Sequence, residues 1–356
     1  MRCCHAGGGR SGCRGPARGA GRRVSGGCEG TRAGASASLH IVIVNWNTGD
    51  RLGACLTSIV TSRHVHVGRV TVIDNASCDG SATGYGDLPL PLEVIRNAGN
   101  VGFARACNQG AAGSSADYLL FLNPDTHVLP DTLARVIGFM ESTDAADFGI
   151  CGVQVRDDRG LPTISCSRFP TLRIFFGKMT KLDRLLPQLF PHHHMTQTEL
   201  RQSGRVEQVI GAFFLVRREL FDRLGGFDER YFVYFEEVDF ALRARTAGAD
   251  SYFLAEATVF HSGQVSSGAN PGMRLYHSLR SRLLYAYRHW RRPHAHALAA
   301  LTFVVEFPAR LAHALVIHQP SEVRGTLCGY RRLLTELPAL LSADQTRAGQ
   351  GVDRDH

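Results

Sequence analysis

Short, continuous apolar runs alternate with helical stretches along the part of the chain that we expect to be ordered, which begins near residue 39. Each run has the length and the unbroken apolar character of a strand buried on both faces. Strands that alternate with helices predict a doubly wound α/β fold with a mostly parallel sheet and right-handed crossovers. The predicted strands are Leu39–Val44, Val70–Ile73, Leu92–Ile95 and Tyr118–Leu122, and the predicted helices are Leu52–Val60, Phe103–Ala112 and Leu133–Met140.

A polar cluster follows each of these four strands. In parallel sheets of this kind, ligands bind at the carboxyl ends of the strands. A single polar cluster would be read as an ordinary surface loop, but four at the same edge favour a nucleotide site. The clusters are Asn45–Asn47, Asp74–Ser77, Asn97–Gly102 and Asn123–Asp125.

The pattern is less regular in the second half of the chain. Residues 151–205 show no clear periodicity, and we expect this region to contain a mobile loop. The adjacent histidines His192–His194 cannot all face one ion, so they do not favour a metal site. The pattern returns with an apolar run at Val209–Val216, a helix at Arg218–Leu224 and a strand end at Thr258–Phe260.

Beyond about residue 266 the chain is helical and basic. The segment Ala297–Ile317 is rich in apolar residues but is interrupted by Glu306, Pro308 and Arg310. A membrane-spanning helix needs about 20 apolar residues, so we expect no transmembrane segment. Two alternatives stay open for this segment: an interfacial helix on the inner face of the cytoplasmic membrane, or a plain helical cap on the preceding domain.

Most of the positive charge lies at the start of the chain. The net charge is +8, but the first 38 residues alone hold seven arginines and one glutamate in a Gly-rich stretch. The rest is therefore nearly neutral, which argues against a nucleic-acid partner, and the ten scattered cysteines indicate reduced thiols in a cytosolic protein. We expect a disordered leader at 1–38, a folded domain at 39–265, a helical extension at 266–345 and a disordered tail at 346–356.

Two residues are candidates for binding a divalent ion. Asp125 directly follows an apolar strand at the predicted ligand edge, where a carboxylate suits Mg²⁺ or Mn²⁺ shared with phosphate oxygens. His261 also follows a strand-like run. By itself the triplet Asn123-Pro124-Asp125 is more often an ordinary turn than a metal site, and a lone histidine is more often a structural residue than a ligand. The two residues together predict a metal site.

Three carboxylates stand within four positions at the start of a predicted helix, directly after an aromatic segment. Glu236 can simply complement the helix dipole, and Asp239 can pair with Arg243 one turn later. Glu237 has no such partner, and we expect the helix terminus to keep it deprotonated near neutral pH. Of the two candidate catalytic residues, Glu237 is therefore the predicted general base, and Asp239 is a structural or acceptor-orienting residue.

Six segments in this order resemble the inverting family 2 glycosyltransferases of the GT-A type, and most of all bacterial rhamnosyltransferases. The resemblance covers roughly residues 39–265. Two positions depart from the family pattern: Asn123 replaces the first carboxylate of an Asp-x-Asp metal motif, and Glu236-Glu237 replaces the usual Glu-Asp pair. The segments are IVIVNWNTGDRLGACLTSI, VTVIDNASCDGS, VIRNAGNVGFARACNQG, YLLFLNPD, GAFFLVRRELFDRLGGFDERYFVYFEEVDFALRARTAG and VFHSGQ.

The resemblance implies a GT-A catalytic domain with a nucleotide-binding half at 39–125 and an acceptor half at 126–265. It implies that Asp74 and the Asn45 loop hold the base and ribose of a nucleotide sugar. It also implies that Asp125 and His261 hold Mg²⁺ or Mn²⁺ on the diphosphate. The other implied contacts are Asn97, Gly102, Phe103, Asn108 and Asn123 in the donor pocket, and Gly211 and Phe213 on the acceptor side.

These inferences predict an inverting transferase that moves L-rhamnose from dTDP-rhamnose to a hydroxyl of a lipid-linked or polysaccharide precursor. We expect it in the cytoplasm, or peripherally on the inner face of the cytoplasmic membrane. The alternative is a non-catalytic protein that binds membranes or nucleic acid through its basic ends, although the leader has no aromatic residue to stack bases. A nicotinamide oxidoreductase is disfavoured, since no GxGxxG motif follows the first strand.

Overall fold

The computed structural model describes residues 37–263, 270–316 and 318–342. The predictions of a disordered leader and tail fall almost entirely outside these ranges. The strands are β1 (Ser38–Asn45), β2 (His66–Asp74), β3 (Leu92–Arg96), β4 (Tyr118–Leu122), β5 (Thr126–Val128), β6 (Phe148–Arg156), β7 (Cys166–Ser167), β8 (Gly204–Val206), β9 (Gln208–Val209), β10 (Phe213–Arg217) and β11 (Asp250–His261).

The helices flank this sheet and continue beyond it as a C-terminal extension. They are α1 (Arg51–Val60), α2 (Phe103–Ala111), α3 (Thr132–Met140), α4 (Leu172–Thr180), α5 (Leu182–Leu185), α6 (Arg218–Arg223), α7 (Glu236–Thr246), α8 (Pro271–His289), α9 (Arg292–Leu301), α10 (Phe307–Val316) and α11 (Pro320–Ser342). A π-helical turn, Thr302–Glu306, joins α9 to α10.

The main sheet has the strand order β3-β2-β1-β4-β10-β6-β11-β5, with β8 paired to β11. Strands β3, β2, β1 and β4 are parallel, as the alternation of strands and helices predicts. Strand β10 is antiparallel to both of its neighbours, and β5 is antiparallel to β11. The apolar run at 209–216 is therefore not one strand, because it is divided between β9 and β10.

Both faces of the sheet are covered by apolar layers. Along β1, Ile41 and Ile43 belong to a core cluster with residues of α1 and α3, whereas Val42 and Val44 belong to a second cluster with residues of α2, α7 and α8. Alternate side chains of a strand point to opposite faces, so a strand covered on both sides reads as an unbroken apolar run. Because β1, β2 and β4 run parallel, their carboxyl ends lie at one edge of the sheet.

Residues 151–205 contain regular structure that the sequence pattern did not predict, and the expected mobile loop within this region stays a prediction. Strand β6 continues to Arg156, and the segment then contains β7, α4, α5 and β8. Helix α4 is capped by Thr171, whose hydroxyl accepts a hydrogen bond from the backbone nitrogen of Ile174 at 3.2 Å. Ile174 and Phe175 are buried against other parts of the fold. Their packing against α8 and α9 depends on residues far along the chain, so local periodicity did not reveal this helix.

The C-terminal helices lie against the core rather than apart from it. Helix α8 is capped by Asn270, whose side-chain oxygen accepts a hydrogen bond from the backbone nitrogen of Met273 at 3.1 Å. Within the described ranges, one helix, Arg292–Val316, is long and apolar enough to cross a membrane by length and composition, and 22% of its most apolar window is buried. The expectation that this segment falls short of a spanning helix is therefore not confirmed.

Candidate active site

Asn45 and Asp74 are paired at the carboxyl ends of β1 and β2. The side-chain nitrogen of Asn45 donates to Oδ1 of Asp74 at 2.9 Å and to the hydroxyl of Ser81 at 2.8 Å. Its side-chain oxygen accepts a hydrogen bond from Thr48. Asn45 is thus fully buried and its hydrogen-bonding capacity is used internally. It holds the two loops in place and positions Asp74, instead of presenting its own amide to a ligand.

A second polar chain links the ends of β2 and β3 to the start of α2. The side-chain nitrogen of Asn97 donates to Oδ1 of Asn75 at 2.8 Å, and the side-chain nitrogen of Asn75 donates to the carbonyl of Gly102 at 3.3 Å. Sequence reasoning did not single out Asn75, although it directly follows Asp74 at the strand end. Its buried amide is the connection between the two predicted donor loops.

Gly102 and Phe103 hold the loop that precedes the acidic helix α7. Gly102 has φ +90°, and a β-carbon there would lie 2.6 Å from the carbonyl oxygen of Phe232. The backbone nitrogen of Phe103 donates to that same oxygen at 2.6 Å. A glycine is required because no other residue leaves room for this approach at a positive φ. Both residues therefore connect α7 to the edge of the sheet where the nucleotide sugar is predicted to bind.

Asp125 and His261 meet at the end of β11, as the sequence predicts. Strand β11 pairs with β5 so that His261 lies opposite Thr126. The Nε2 atom of His261 is 3.1 Å from Oδ1 of Asp125 and 3.2 Å from the side-chain nitrogen of Asn123. Burial alone raises the pKa of Asp125, but the hydrogen bond and charge of His261 and the charge of Arg51 outweigh it and lower that pKa overall.

The pair fits a divalent ion that is shared with a phosphate group. An ionised carboxylate oxygen and an imidazole nitrogen converge on one position, and both are ligand types for Mn²⁺. Among the described residues no group of three or more metal-binding side chains occurs. An ion held by Asp125 and His261 would therefore keep most of its coordination positions for phosphate oxygens and water, as Mg²⁺ and Mn²⁺ commonly do beside nucleotides.

Arg51 is a further member of this site that sequence reasoning missed. It is the first residue of α1, which starts at the same sheet edge, and its charge acts on Asp125. One of its guanidinium nitrogens, Nη1, is buried and has no hydrogen-bond partner in the part of the chain that the structure describes. A buried donor without a partner is costly, so this nitrogen is suited to an anionic ligand.

The acidic helix α7 begins abruptly. Tyr234 and Phe235, the two residues before it, have φ +67° and +72°. Left-handed backbone at consecutive non-glycine residues is strained, and such strain is concentrated at functional sites. The turn places Glu236 and Glu237 in the first turn of the helix.

Glu236 and Glu237 face different surroundings. Glu236 is buried, and burial together with the charge of Glu237 raises its pKa well above the ordinary value. Glu237 lines a pocket of about 640 Å³, and its Oε1 lies 4.0 Å from where a β-carbon on Gly211 would stand. Burial also raises the pKa of Glu237. Burial outweighs the backbone hydrogen bonds at the helix terminus, which moves the pKa of Glu237 toward that of an effective base. That Glu237 is deprotonated near neutral pH stays a prediction.

Asp239 has a structural role. It is fully buried, and its Oδ2 accepts a hydrogen bond from Arg243 at 2.7 Å, as the i, i+4 spacing predicts. Its Oδ1 lies 2.7 Å from Nε2 of His289 and 3.1 Å from Nε of Arg288, both at the end of α8. These groups tie α7 to α8 and Asp239 does not line the pocket, so of its two predicted roles the structural one is favoured.

Two other implied contacts also turn out to be structural. The side chain of Asn108 bonds both the backbone nitrogen and the carbonyl of Phe227, at 2.9 and 2.8 Å, and so fixes the turn before α7 instead of contacting a donor. Phe213 is buried in the core layer with α1 and α3 and does not line the pocket. Gly211, two residues earlier, does lie beside Glu237.

The pocket beside Glu237 is a half-open cleft between the acceptor half of the domain and the C-terminal helices. Tyr234, Phe235 and Ile210 line it on the side of the domain. Residues of α4, α8, α10 and α11 form the remaining walls. Across Gly211, the backbone nitrogen of Asn123 donates to the carbonyl of Ala212 at 3.1 Å, which connects this pocket to the Asp125–His261 pair.

A family model for glycosyl transferase family 2 matches residues 40–225, more than half of the chain. A relative from Mycobacterium tuberculosis (strain ATCC 25618 / H37Rv), named N-acetylglucosaminyl-diphospho-decaprenol L-rhamnosyltransferase, is 30% identical over 277 residues. That match covers 72% of this chain and 87% of the relative. The chain belongs to glycosyl transferase family 2. It is a glycosyltransferase, and the predicted similarity to bacterial rhamnosyltransferases is confirmed.

Further comparisons agree with this membership. Rhamnosyltransferase WbbL of Escherichia coli (strain K12) is 31% identical over 147 residues, which is 41% of this chain and 52% of that protein. The fold is similar to that of the mannosyltransferase PcManGT from Pyrobaculum calidifontis, solved with GDP-Man and Mn²⁺. The TM-score is 0.51 at 16% identity, over 84% of this chain and 88% of the other. The GT-A fold is confirmed, and the alternative of a non-catalytic binding protein is left without support.

Proposed function

We propose that this family 2 enzyme transfers L-rhamnose from dTDP-rhamnose, with inversion, to a hydroxyl of a saccharide linked through a diphosphate to a polyprenol. The observation that carries the proposal is the position of Glu237, which lies between this pocket and the edge of the sheet where the donor is predicted to bind. The name of the Mycobacterium tuberculosis relative supports both the sugar and the acceptor class.

The proposed reaction is a single displacement. Glu237 accepts the proton of the acceptor hydroxyl while that oxygen bonds the anomeric carbon of rhamnose. The bond from this carbon to the diphosphate oxygen breaks on the opposite side, and dTDP leaves with the electron pair. Asp125 and His261 would hold a divalent cation, which when bound supplies charge stabilisation to the leaving diphosphate. Arg51, with its unpartnered nitrogen, is placed to add a charged hydrogen bond at this edge.

Donor specificity and stereochemistry test this function directly. The full-length protein is incubated with a panel of nucleotide sugars, Mn²⁺ or Mg²⁺, and a short-chain N-acetylglucosaminyl-diphospho-prenol. We expect nucleotide release with dTDP-rhamnose only, and NMR of the product should show an anomeric configuration opposite to that of the donor. Faster turnover of another nucleotide sugar would contradict the donor, and retention of configuration would contradict the mechanism.

We further propose that the enzyme works peripherally on the cytoplasmic membrane through helix Arg292–Val316. Val304 and Val316 are each 73% exposed, and Leu315 is also exposed. The charged residues of the helix are not a barrier, because Glu306 pairs within the fold with Arg282 and Arg310. The pair with Arg282 attaches the helix to α8, which favours a helix lying on the bilayer over one crossing it.

Vesicle flotation tests this contact. Asparagine at Val304, Leu315 and Val316 together should weaken binding to anionic vesicles by at least about tenfold, since each apolar side chain of this size contributes about 1.5–3 kcal/mol when buried. Leu161→Asn is the matched control, because Leu161 is equally exposed but lies elsewhere. Equal binding of the triple variant and the control would refute the contact.

A further inference from the structure

The pocket beside Glu237 has a basic wall that the displacement itself does not use. Lys178 at the end of α4, Arg282 in α8 and Arg310 in α10 line it, together with Lys181. Burial lowers the pKa of His193 to about 3 and that of His194 to about 4, so these two lining residues are neutral at physiological pH. The positive charge of the wall therefore comes from lysine and arginine.

The carboxylates of the pocket do not neutralise this wall. Glu306 binds Arg282 through Oε2 at 2.6 Å and Arg310 through Oε1 at 2.8 Å, so one negative charge is shared between two arginines. Glu322 also lines the pocket but is an exposed residue near the start of α11. Glu237 is the candidate base. The group formed by Lys178, Arg282, Arg310 and Glu306 thus carries a net charge of about +2.

Among the described residues, neither lysine forms a direct ion pair. Lys178 and Lys181 are the only lysines among the 40 lysine and arginine residues of the sequence, and both line this pocket. In the described ranges, no carboxylate oxygen lies within ion-pairing distance of either ammonium group. Burial and the nearby charge of Arg282 lower the pKa of Lys178. An ammonium group held beside other cations without a partner is stabilised when an anion binds.

Arg282 is held in place by its neighbours and keeps one hydrogen-bonding nitrogen without a partner among the described residues. Only 8% of its surface is exposed, and its Nη2 donates to Thr302 at 2.8 Å as well as to Glu306. Its guanidinium lies 5.2 Å from the ring centre of Phe175. Its Nε has no hydrogen-bond partner among the residues described. Thr302 and Glu306 are the ends of the π-helical turn, a distortion that occurs mostly at functional sites.

We propose that Lys178, Arg282 and Arg310 bind a diphosphate group, that of the lipid-linked acceptor, and thereby place its sugar hydroxyl beside Glu237. This inference rests on the proposed function. None of Asn45, Asp74, Asp125 and His261 lines the pocket, so the donor diphosphate has a separate place.

The surroundings favour a lipid-bound diphosphate over a free one. Leu185 and Leu186 follow Lys181 closely along the chain and are exposed, and Leu315 and Val316 are exposed at the end of α10. Apolar side chains thus follow both α4 and α10, the two elements that supply Lys178 and Arg310. A cationic wall with apolar residues beyond it matches a molecule that has a charged head and a hydrocarbon tail.

Because only two lysines exist, selective acetylation reports on this pocket without any turnover. The full-length protein is pulsed with acetic anhydride, and acetylation of Lys178 and Lys181 is measured by mass spectrometry. The arms contain geranyl-diphospho-N-acetylglucosamine, the geranyl glycoside without phosphate, inorganic pyrophosphate, or dTDP with Mn²⁺. We expect protection of Lys178 by the first ligand and weaker protection by pyrophosphate, with none from the glycoside or dTDP. Equal protection by pyrophosphate would indicate a free-phosphate site, and equal protection by dTDP would indicate a donor site; either overturns the proposal.

Kinetics of Lys178→Met and Arg310→Gln give an independent test. Each should raise KM for the diphosphate-linked acceptor by about 10- to 100-fold, the range for a lost hydrogen bond to a charged group, and leave KM for the donor unchanged. Arg184→Gln is the matched control, since Arg184 is exposed in α5 and does not line the pocket. Unchanged acceptor KM in both pocket variants would overturn the diphosphate site alone, whereas failure of the wild type to bind or use dTDP-rhamnose would overturn the proposed function.

Discussion

Replacement of Glu237 by glutamine tests the assignment of the base with little other disturbance. The amide keeps the size of the carboxylate, and Oε2 of Glu237 has no hydrogen-bond partner in the described ranges, so no internal bond is broken there. The change removes the proton acceptor itself. A positioned general base contributes about 10²–10⁴-fold, so kcat should fall by that factor, equivalent to about 2.7–5.4 kcal/mol of barrier.

Glu236→Gln is the matched control on the neighbouring residue. Burial and the adjacent charge of Glu237 raise the pKa of Glu236 well above its ordinary value, which favours the neutral, protonated side chain. Glutamine has nearly the same shape and is also neutral. The turnover of Glu236→Gln should therefore stay close to that of the wild type, although this variant also replaces a glutamate in the same helix turn.

The assay is the pH dependence of kcat/KM, with donor binding measured separately. Burial raises the pKa of Glu237, so the active, deprotonated form is lost as the pH falls through a value above the ordinary one of about 4.3. The acid limb of the wild type should lie above that value and disappear in Glu237→Gln, with donor affinity unchanged. A loss of less than about tenfold in Glu237→Gln, together with a large loss in Glu236→Gln, would refute the reasoning.

Three other predictions concern the metal pair, the buried ion cluster and the neutral acid. Asp125→Ala should abolish transfer without lowering Tm, and His261→Ala should raise the Mn²⁺ concentration for half-maximal activity; full wild-type activity in excess EDTA would refute both. Asp239→Ala should lower the free energy of unfolding in urea by about 3–5 kcal/mol, because buried cations lose their counter-ion; normal stability with lost turnover would favour the catalytic role instead. Protonated Glu236 contributes stability at low pH that is lost as the pH rises through its raised pKa, so Tm of the wild type should fall relative to Glu236→Gln as the pH rises above the ordinary carboxyl value of about 4.3; a constant difference would contradict this.

The parallel half of the fold could be predicted from the sequence because its signals are local. Strands β1 and β4 and the second half of β2 are buried on both faces, so each reads as an apolar run with a polar end, whereas the edge strand β3 is only partly buried. Strand β10 and helix α4 could not be placed in this way. The antiparallel course of β10 is set by its two neighbours, and α4 is stabilised by α8 and α9, whose residues come much later in the chain.

The site was predictable where residue type and position act together. Asp125 and His261 each stand at a strand end, and strand pairing brings strand ends to one edge. Phe213 shows what the sequence could not predict. Alternate residues of a strand point to opposite faces of the sheet, and the register of β10, which decides the face that Phe213 occupies, was not available from the sequence. Asp239 is another such case: its pairing with Arg243 is local, but its contact with His289 depends on how α8 packs on α7.

In the proposed mechanism, the donor and the acceptor are recognised by different parts of the chain, which bears on specificity. The family model covers residues 40–225, which include the donor edge and Asp125 but end before Glu237. The basic wall of the pocket comes largely from α8 and α10, which lie beyond that stretch. An enzyme of this architecture can therefore keep one set of contacts for the nucleotide sugar while its C-terminal helices change the acceptor. Specificity for a lipid-linked diphosphate would then depend on how α8 and α10 pack over Glu237, because those two helices supply Arg282 and Arg310.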